Sequence, residues 1–303
     1  LSIVRGIYFF VHLIPKINKN HKLIFKPVFQ QLIKRFLILF FTIAIFYTAH
    51  AQGDNNPIGA RQAGMGRSSV ALTDFWNIQN NQAGISLIDK TSVGIYYENS
   101  LNLSELSTKS IAAMMPSKYG VFGVTFNYFG YSQYNEMKAG LVYARSFGQY
   151  FRMGVQLDYL QTTIGDNYGS AGNVTFEIGV QSDVTEKLTL GAWVFNPVQV
   201  KLSGNTSQEY PAIIRFGAGW DILENFIATA EVEKNSQFDP ILFRGGLEYG
   251  LDEKFFFRAG FSTQQEIFSM GFGLKLKGFK FDIAAVMNQS LGFSEQISLI
   301  YQF

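Results

Sequence analysis

From about residue 91 to its last residue the chain alternates apolar with polar or small residues, in short segments broken by turns. Phe279, Phe281, Ile283, Ala285 and Met287 alternate with Lys280, Asp282, Ala284, Val286 and Asn288. Phe226, Ala228, Ala230 and Val232 alternate with Ile227, Thr229, Glu231 and Glu233, and Phe151 to Leu160 repeats the pattern. Strand side chains point to opposite faces at period two, so each segment has one apolar face and one polar or small face. Long apolar runs and helical periodicity are missing beyond residue 51.

About fourteen such segments can be marked off, from 92–99 through 173–183 and 210–221 to 295–303. The count is even, as in closed single-chain membrane barrels, and most segments have the roughly 9–11 residues a tilted strand needs to cross a bilayer. Links after even-numbered segments are short, for example Ser117–Tyr119, Gly148–Tyr150 and Leu251–Lys254. Those after odd-numbered segments are mostly longer and polar, such as Gly165–Gly172, Pro197–Glu209 and Ser290–Ser294. The expectation is an all-β transmembrane antiparallel barrel of about 14 strands over residues 91–303. It lies in the outer membrane, surrounded by lipid, with both termini periplasmic. A closed ring gives every backbone group an internal partner in hydrocarbon. Phe151, Tyr159, Trp220, Phe226, Phe255, Phe261, Phe279 and Tyr301 sit near segment ends on the apolar face, where aromatic girdles belong.

Charge divides the chain. Residues 1–51 hold seven of the 25 Lys and Arg, all three His and no acid, so the remainder is net negative. That removes the main support for nucleic-acid binding. Lys34-Arg35, the apolar run Phe36–Tyr47 and Ala49-His50-Ala51 form the three parts of an export signal; the competing reading is a short membrane anchor. Residues 1–51 are therefore expected to be a leader and signal peptide. The first Met is Met65, which points to a start near Leu32 with residues 1–31 untranslated. Beyond residue 51 there is neither Cys nor His, which excludes Ser-His and Cys-His nucleophiles and disfavours transition-metal sites. No catalytic residue, metal or cofactor is expected, and the protein reads as a non-enzyme.

The same alternation turns Arg152, Asp158, Glu177, Arg215, Glu231, Glu233, Arg244, Glu248, Arg258, Lys280 and Asp282 inward. Opposite signs on neighbouring strands fit an ion-pair network filling the lumen better than a charge-selective conduit, because they cancel the field that selectivity needs. Gly154, Gly179, Gly191, Gly246 and Gly260 also face inward and leave room for something to pack there. Residues 52–90 are the candidate, a plug or hatch, the alternative being an inert periplasmic tail. Met65, Val70, Leu72, Phe75 and Trp76 are costly to leave in water. Gly64 and Gly66 lack the preceding strand and following Lys of a phosphate loop.

The run Gly59-Ala-Arg61-Gln-Ala-Gly64-Met65-Gly66, then Val70-Ala71, Asp74, and Asn81-Gln82-Ala83-Gly84-Ile85, resembles the start of FadL-like outer-membrane barrels, particularly the PorV/PorQ-like group of Bacteroidota. Gln82 stands where that family usually has Pro. The final strand, ending Tyr301-Gln302-Phe303, resembles the C-terminal signal read by the outer-membrane assembly machinery. The resemblance implies a fourteen-stranded barrel with a plug built around Gly59, Arg61, Gly64, Met65, Gly66, Asp74, Trp76 and Asn81. It also implies one of two roles. The first is an adaptor within a larger outer-membrane complex for protein export of the type IX secretion kind, or for outer-membrane protein assembly. The second is a channel for small hydrophobic molecules gated by the N-terminal segment. The short external links favour the adaptor.

Overall fold

The computed structural model describes residues 56–165, 169–200, 210–263, 267–288 and 292–303. The leader expected over residues 1–51 lies outside them. Fourteen strands form a closed antiparallel barrel in which each pairs with its sequence neighbours and the first closes on the last. They are β1 (Ser92–Asn99), β2 (Ser107–Ser117), β3 (Gly120–Gly130), β4 (Tyr134–Phe147), β5 (Phe151–Ile164), β6 (Gly169–Thr185) and β7 (Leu188–Phe195). The ring continues with β8 (Ile213–Leu223), β9 (Phe226–Asn235), β10 (Phe238–Leu251), β11 (Phe255–Ser262), β12 (Ile267–Leu276), β13 (Phe279–Asn288) and β14 (Gly292–Gln302). The closing seam runs without a shift from Ser92 opposite Gln302 to Asn99 opposite Glu295.

Two details of the sequence reading need correction. Strands β6 and β14 begin earlier than the alternation suggests, because backbone pairing continues past the apolar band: Gly169 and Ser170 still face Ile164 and Thr163 of β5, and Gly292 faces Asn288. The polar stretches taken for long links are thus partly strand. Link lengths accordingly alternate less sharply than expected, and β9 joins β10 through Ser236 and Gln237 alone. The even-numbered links remain short throughout, and the end that carries them is called here the short-turn end.

Burial follows the alternation. In β13 exposed Phe279, Phe281, Ile283 and Met287 alternate with buried Asp282, Ala284, Val286 and Asn288. Outward Ile95, Ile111, Leu141, Leu157, Val174, Phe216, Leu247, Phe257 and Ile297 are exposed on strands all round the ring. A soluble protein seldom leaves so continuous an apolar surface in water; in hydrocarbon it costs nothing. No described helix is long and apolar enough to cross a membrane, so any crossing is made by strands.

Residues 56 to 85 lie inside the ring, and 86 to 90 lead out to β1 at its mouth. They contain α1 (Ala60–Gly64), α2 (Asn77–Asn80) and a 3-10 turn at Gln82–Ile85. Met65, Trp76, Ile78 and Ile85 are fully buried. Phe75, Trp76, Ile78 and Ile85 form one cluster with Tyr96, Met114, Val121 and Val142 of the wall. Burial of each such side chain stabilises by about 1.5–3 kcal/mol, so this segment takes the place of a conventional core.

Candidate functional site

The lumenal segment is built for close contact with the wall. Gly59, which precedes α1, has φ 117, a left-handed value that disfavours any side chain, and an added Cβ there would strike Gln62 and Trp76. At Gly260 of β11 a Cβ would lie 2.7 Å from the Cα of Gly66 and closer still to its amide. The inward row behaves alike: Gly154 meets Gln82, Gly179 meets Asn81, Gly191 meets Val70 and Gly246 meets Met65. At each of these positions the segment comes so close that the wall has room for no side chain.

Charges clamp the segment to the wall at several places. Near the short-turn end, Arg61 donates through Nε and Nη2 to both oxygens of Glu248, at 2.8 and 2.6 Å, and through Nη1 to Asp74 at 3.1 Å. Asp74 also accepts from Lys280 Nζ at 2.9 Å, Gln62 Nε2 at 2.9 Å and the Trp76 amide at 3.0 Å. Burial alone would raise the Asp74 carboxyl, but Lys280 and Arg61 outweigh it and hold the group well below the ordinary carboxylate range. Arg258 donates to Glu248 at 2.5 Å and stands 2.8 Å from Asp282. One connected set thus joins α1, residue 74, β10, β11 and β13.

Higher in the lumen, the amides of Ser69 and Val70 both donate to Glu231 at 2.8 Å. Arg244 bridges Glu231 and Glu233 at 3.0 and 2.8 Å, and Arg215 donates to Glu233 at 2.6 Å. Asn81 donates to the carbonyls of Val70, Val180 and Ala192. Gln82, standing where the resembling family has Pro, donates to Glu177 at 2.5 Å, and Lys138 donates to the same carboxylate at 2.8 Å. Two expected members of the network sit apart. Arg152 pairs with Asp183 at 2.6 Å, and Asp158 accepts from Gln156 at 2.6 Å and enters no ion pair among the described residues.

Some contacts were not read from the sequence. Arg67 reaches Glu98 of β1 at 2.5 Å; both positions passed unremarked because nothing in their spacing links them. On the side of β5, β7 and β8, Leu160, Trp193, Phe195 and Ile213 turn inward and pack around Val70, with Tyr210 of the β7–β8 link against them. Arg215 lies over the Trp193 ring at 4.5 Å, and Trp193 Nε1 donates to Glu177 at 3.0 Å. This cluster is a second apolar patch in the lumen, beside the one around Phe75 and Trp76. Near the seam, the Tyr301 ring lies tilted against Phe279 at 4.5 Å and edge-on to Phe303 at 4.8 Å, and the Phe303 amide donates to the Thr91 carbonyl. Among the described residues no group of three or more acidic, His or Cys side chains is placed to hold a metal.

No family model matches the chain, and no curated protein sequence matches it. Its fold is nonetheless shared with solved structures. It is similar to the CymD monoaromatic hydrocarbon channel, with a TM-score of 0.67 and 12% identity over 83% of this chain and 99% of that one. It is also similar to the P. putida toluene transporter TodX, with a TM-score of 0.64 and 12% identity over 82% of this chain and 99% of that one. A Pseudomonas aeruginosa FadL homologue superposes with a TM-score of 0.60 at 12% identity, over 84% of this chain and all of that one. At this identity the likeness establishes a FadL-type fourteen-stranded barrel.

Proposed function

We propose that this protein is a non-enzymatic outer-membrane channel for small hydrophobic molecules, with residues 52–90 as its gate. The observation that carries the reading is the inward apolar cluster of Leu160, Trp193, Phe195 and Ile213, which meets the lumenal segment at Val70. Its side chains are buried against the segment at Val70, and withdrawal of the segment would open them to an apolar solute. The similar folds bear names of hydrocarbon and toluene channels, which supports the same solute class. The short-turn end would face the periplasm, together with both termini. The export-adaptor expectation rests on the resemblance at Gly59–Ile85 and on the short external links, and the geometry of the lumen adds nothing to it.

The test is uptake of radiolabelled toluene by cells that carry or lack the protein. The expected result is faster uptake with the protein, reduced severalfold by Trp193→Asp, which puts a charge on the apolar surface. Equal uptake with and without the protein overturns the reading. Native extraction that returns a stoichiometric larger outer-membrane partner would favour the adaptor instead.

A further inference from the structure

One rung of the inner wall reads residue 70 of the lumenal segment group by group. Gln181 of β6, Gly191 of β7, Gly217 of β8 and Glu231 of β9 stand directly opposite one another in register. Glu231 accepts from the Val70 amide at 2.8 Å, and Gln181 Nε2 donates to the Val70 carbonyl at 2.9 Å. The same carbonyl accepts from Asn81 Nδ2 of the segment itself. The two glycines form the floor between the clamping side chains. A Cβ at Gly191 would strike the Val70 carbonyl oxygen, and one at Gly217 would lie 2.6 Å from Val70 Cγ1. The Val70 side chain packs with Leu160, Trp193, Phe195 and Ile213.

An acceptor, a donor, a floor without side chains and an apolar wall thus surround one peptide unit and one branched side chain. Arg61 and Arg67 reach the wall with long side chains of their own; at residue 70 the wall reaches for the backbone. A peptide N–H and C=O taken out of water each need a partner, and this rung supplies one of each kind across a single residue. We propose that the notch is a recognition site for a peptide unit with a compact branched side chain, filled in this state by Val70, and that the ligand it takes from outside is a small acylated amino-acid amide. A bare hydrocarbon fills the apolar half but leaves Gln181 Nε2 without the acceptors it has here, at a cost. The proposal rests on the gate reading in one respect, that residues 69–72 leave the wall when a ligand takes their place.

The experiment is calorimetric titration of the purified full chain in non-ionic detergent with N-acetyl-L-valine methylamide, beside N-acetylglycine methylamide. Val70→Asp sets a second carboxylate next to Glu231 and a charge among the apolar side chains, so residue 70 leaves the notch. Val70→Thr keeps the shape, puts only a hydroxyl there and loosens the same seat more gently. Both variants are expected to bind the valine amide, Val70→Asp about tenfold more tightly than the parent, in which the occupied notch lowers the apparent affinity. The glycine amide should bind several-fold more weakly, and adding Gln181→Met to either variant should cost about tenfold. No binding to either variant, equal binding of the two amides, full affinity after Gln181→Met, or a parent that binds as tightly as both variants would each overturn the proposal. The channel reading fails on a separate measurement, toluene uptake that is equal with and without the protein.

Discussion

Arg244 shows how the lumen trades one cost against another. Its guanidinium separates two buried carboxylates, Glu231 and Glu233, that sit on the same face of β9. Arg244→Ala would leave Arg215 as the one cation for both, 2.6 Å from Glu233 and 3.9 Å from Glu231, so the expected effect is a loss of barrel stability on the order of 3 kcal/mol. The melting temperature of the detergent-solubilised barrel measures it, and an unchanged value would mean water replaces the guanidinium at no cost. The inward side of these residues was legible in the sequence because charge on a period-two pattern can face only one way. Their partners were not. Arg61 and Glu248 are 187 positions apart, and only the closed ring brings them together. The inward Trp193 and Phe195 escaped for a different reason: they share the face of Gly191, but β7 has apolar residues on both faces, Leu190 and Val194 as well as the buried pair, so no charge draws attention to its lumenal side.

Among elements, the lumenal segment and the strands divide the work unequally. The strands supply hydrogen-bonded continuity, and nearly all of them were visible as separate alternating runs because each carries its own period. The segment has no period; α1 and α2 are single turns held by wall contacts rather than by their own propensity. What could be read there was apolar content and glycine placement, and the structure puts those glycines against the chain at 64–82. Deletion of 53–88 is expected to raise single-channel conductance in planar bilayers several-fold, because it takes away the side chains that close the lumen between β1, β5 and β10. Conductance equal to that of the full chain would remove the segment from any gating role.

For the molecule as a whole, the outward apolar surface is the property that ties the fold to a membrane. Leu157, midway along β5 and exposed, reports on it directly. Leu157→Arg should destabilise the barrel refolded into lipid bilayers by about 2–4 kcal/mol, measured by denaturant titration. A variant as stable as the parent would argue that this face meets something other than hydrocarbon. The closed seam has one more consequence, for the order in which the molecule is made. A ring whose first strand is zipped to its last from Ser92–Gln302 to Asn99–Glu295 has no gap at that seam. The residues from 56 to 85, just before β1, fill its bore so tightly that glycines must make way for them. They have to be in place, or be drawn in through one open mouth, when β1 meets β14. The chain's own beginning is then the mandrel around which the cylinder is rolled, and the final strand closes over a bore already occupied.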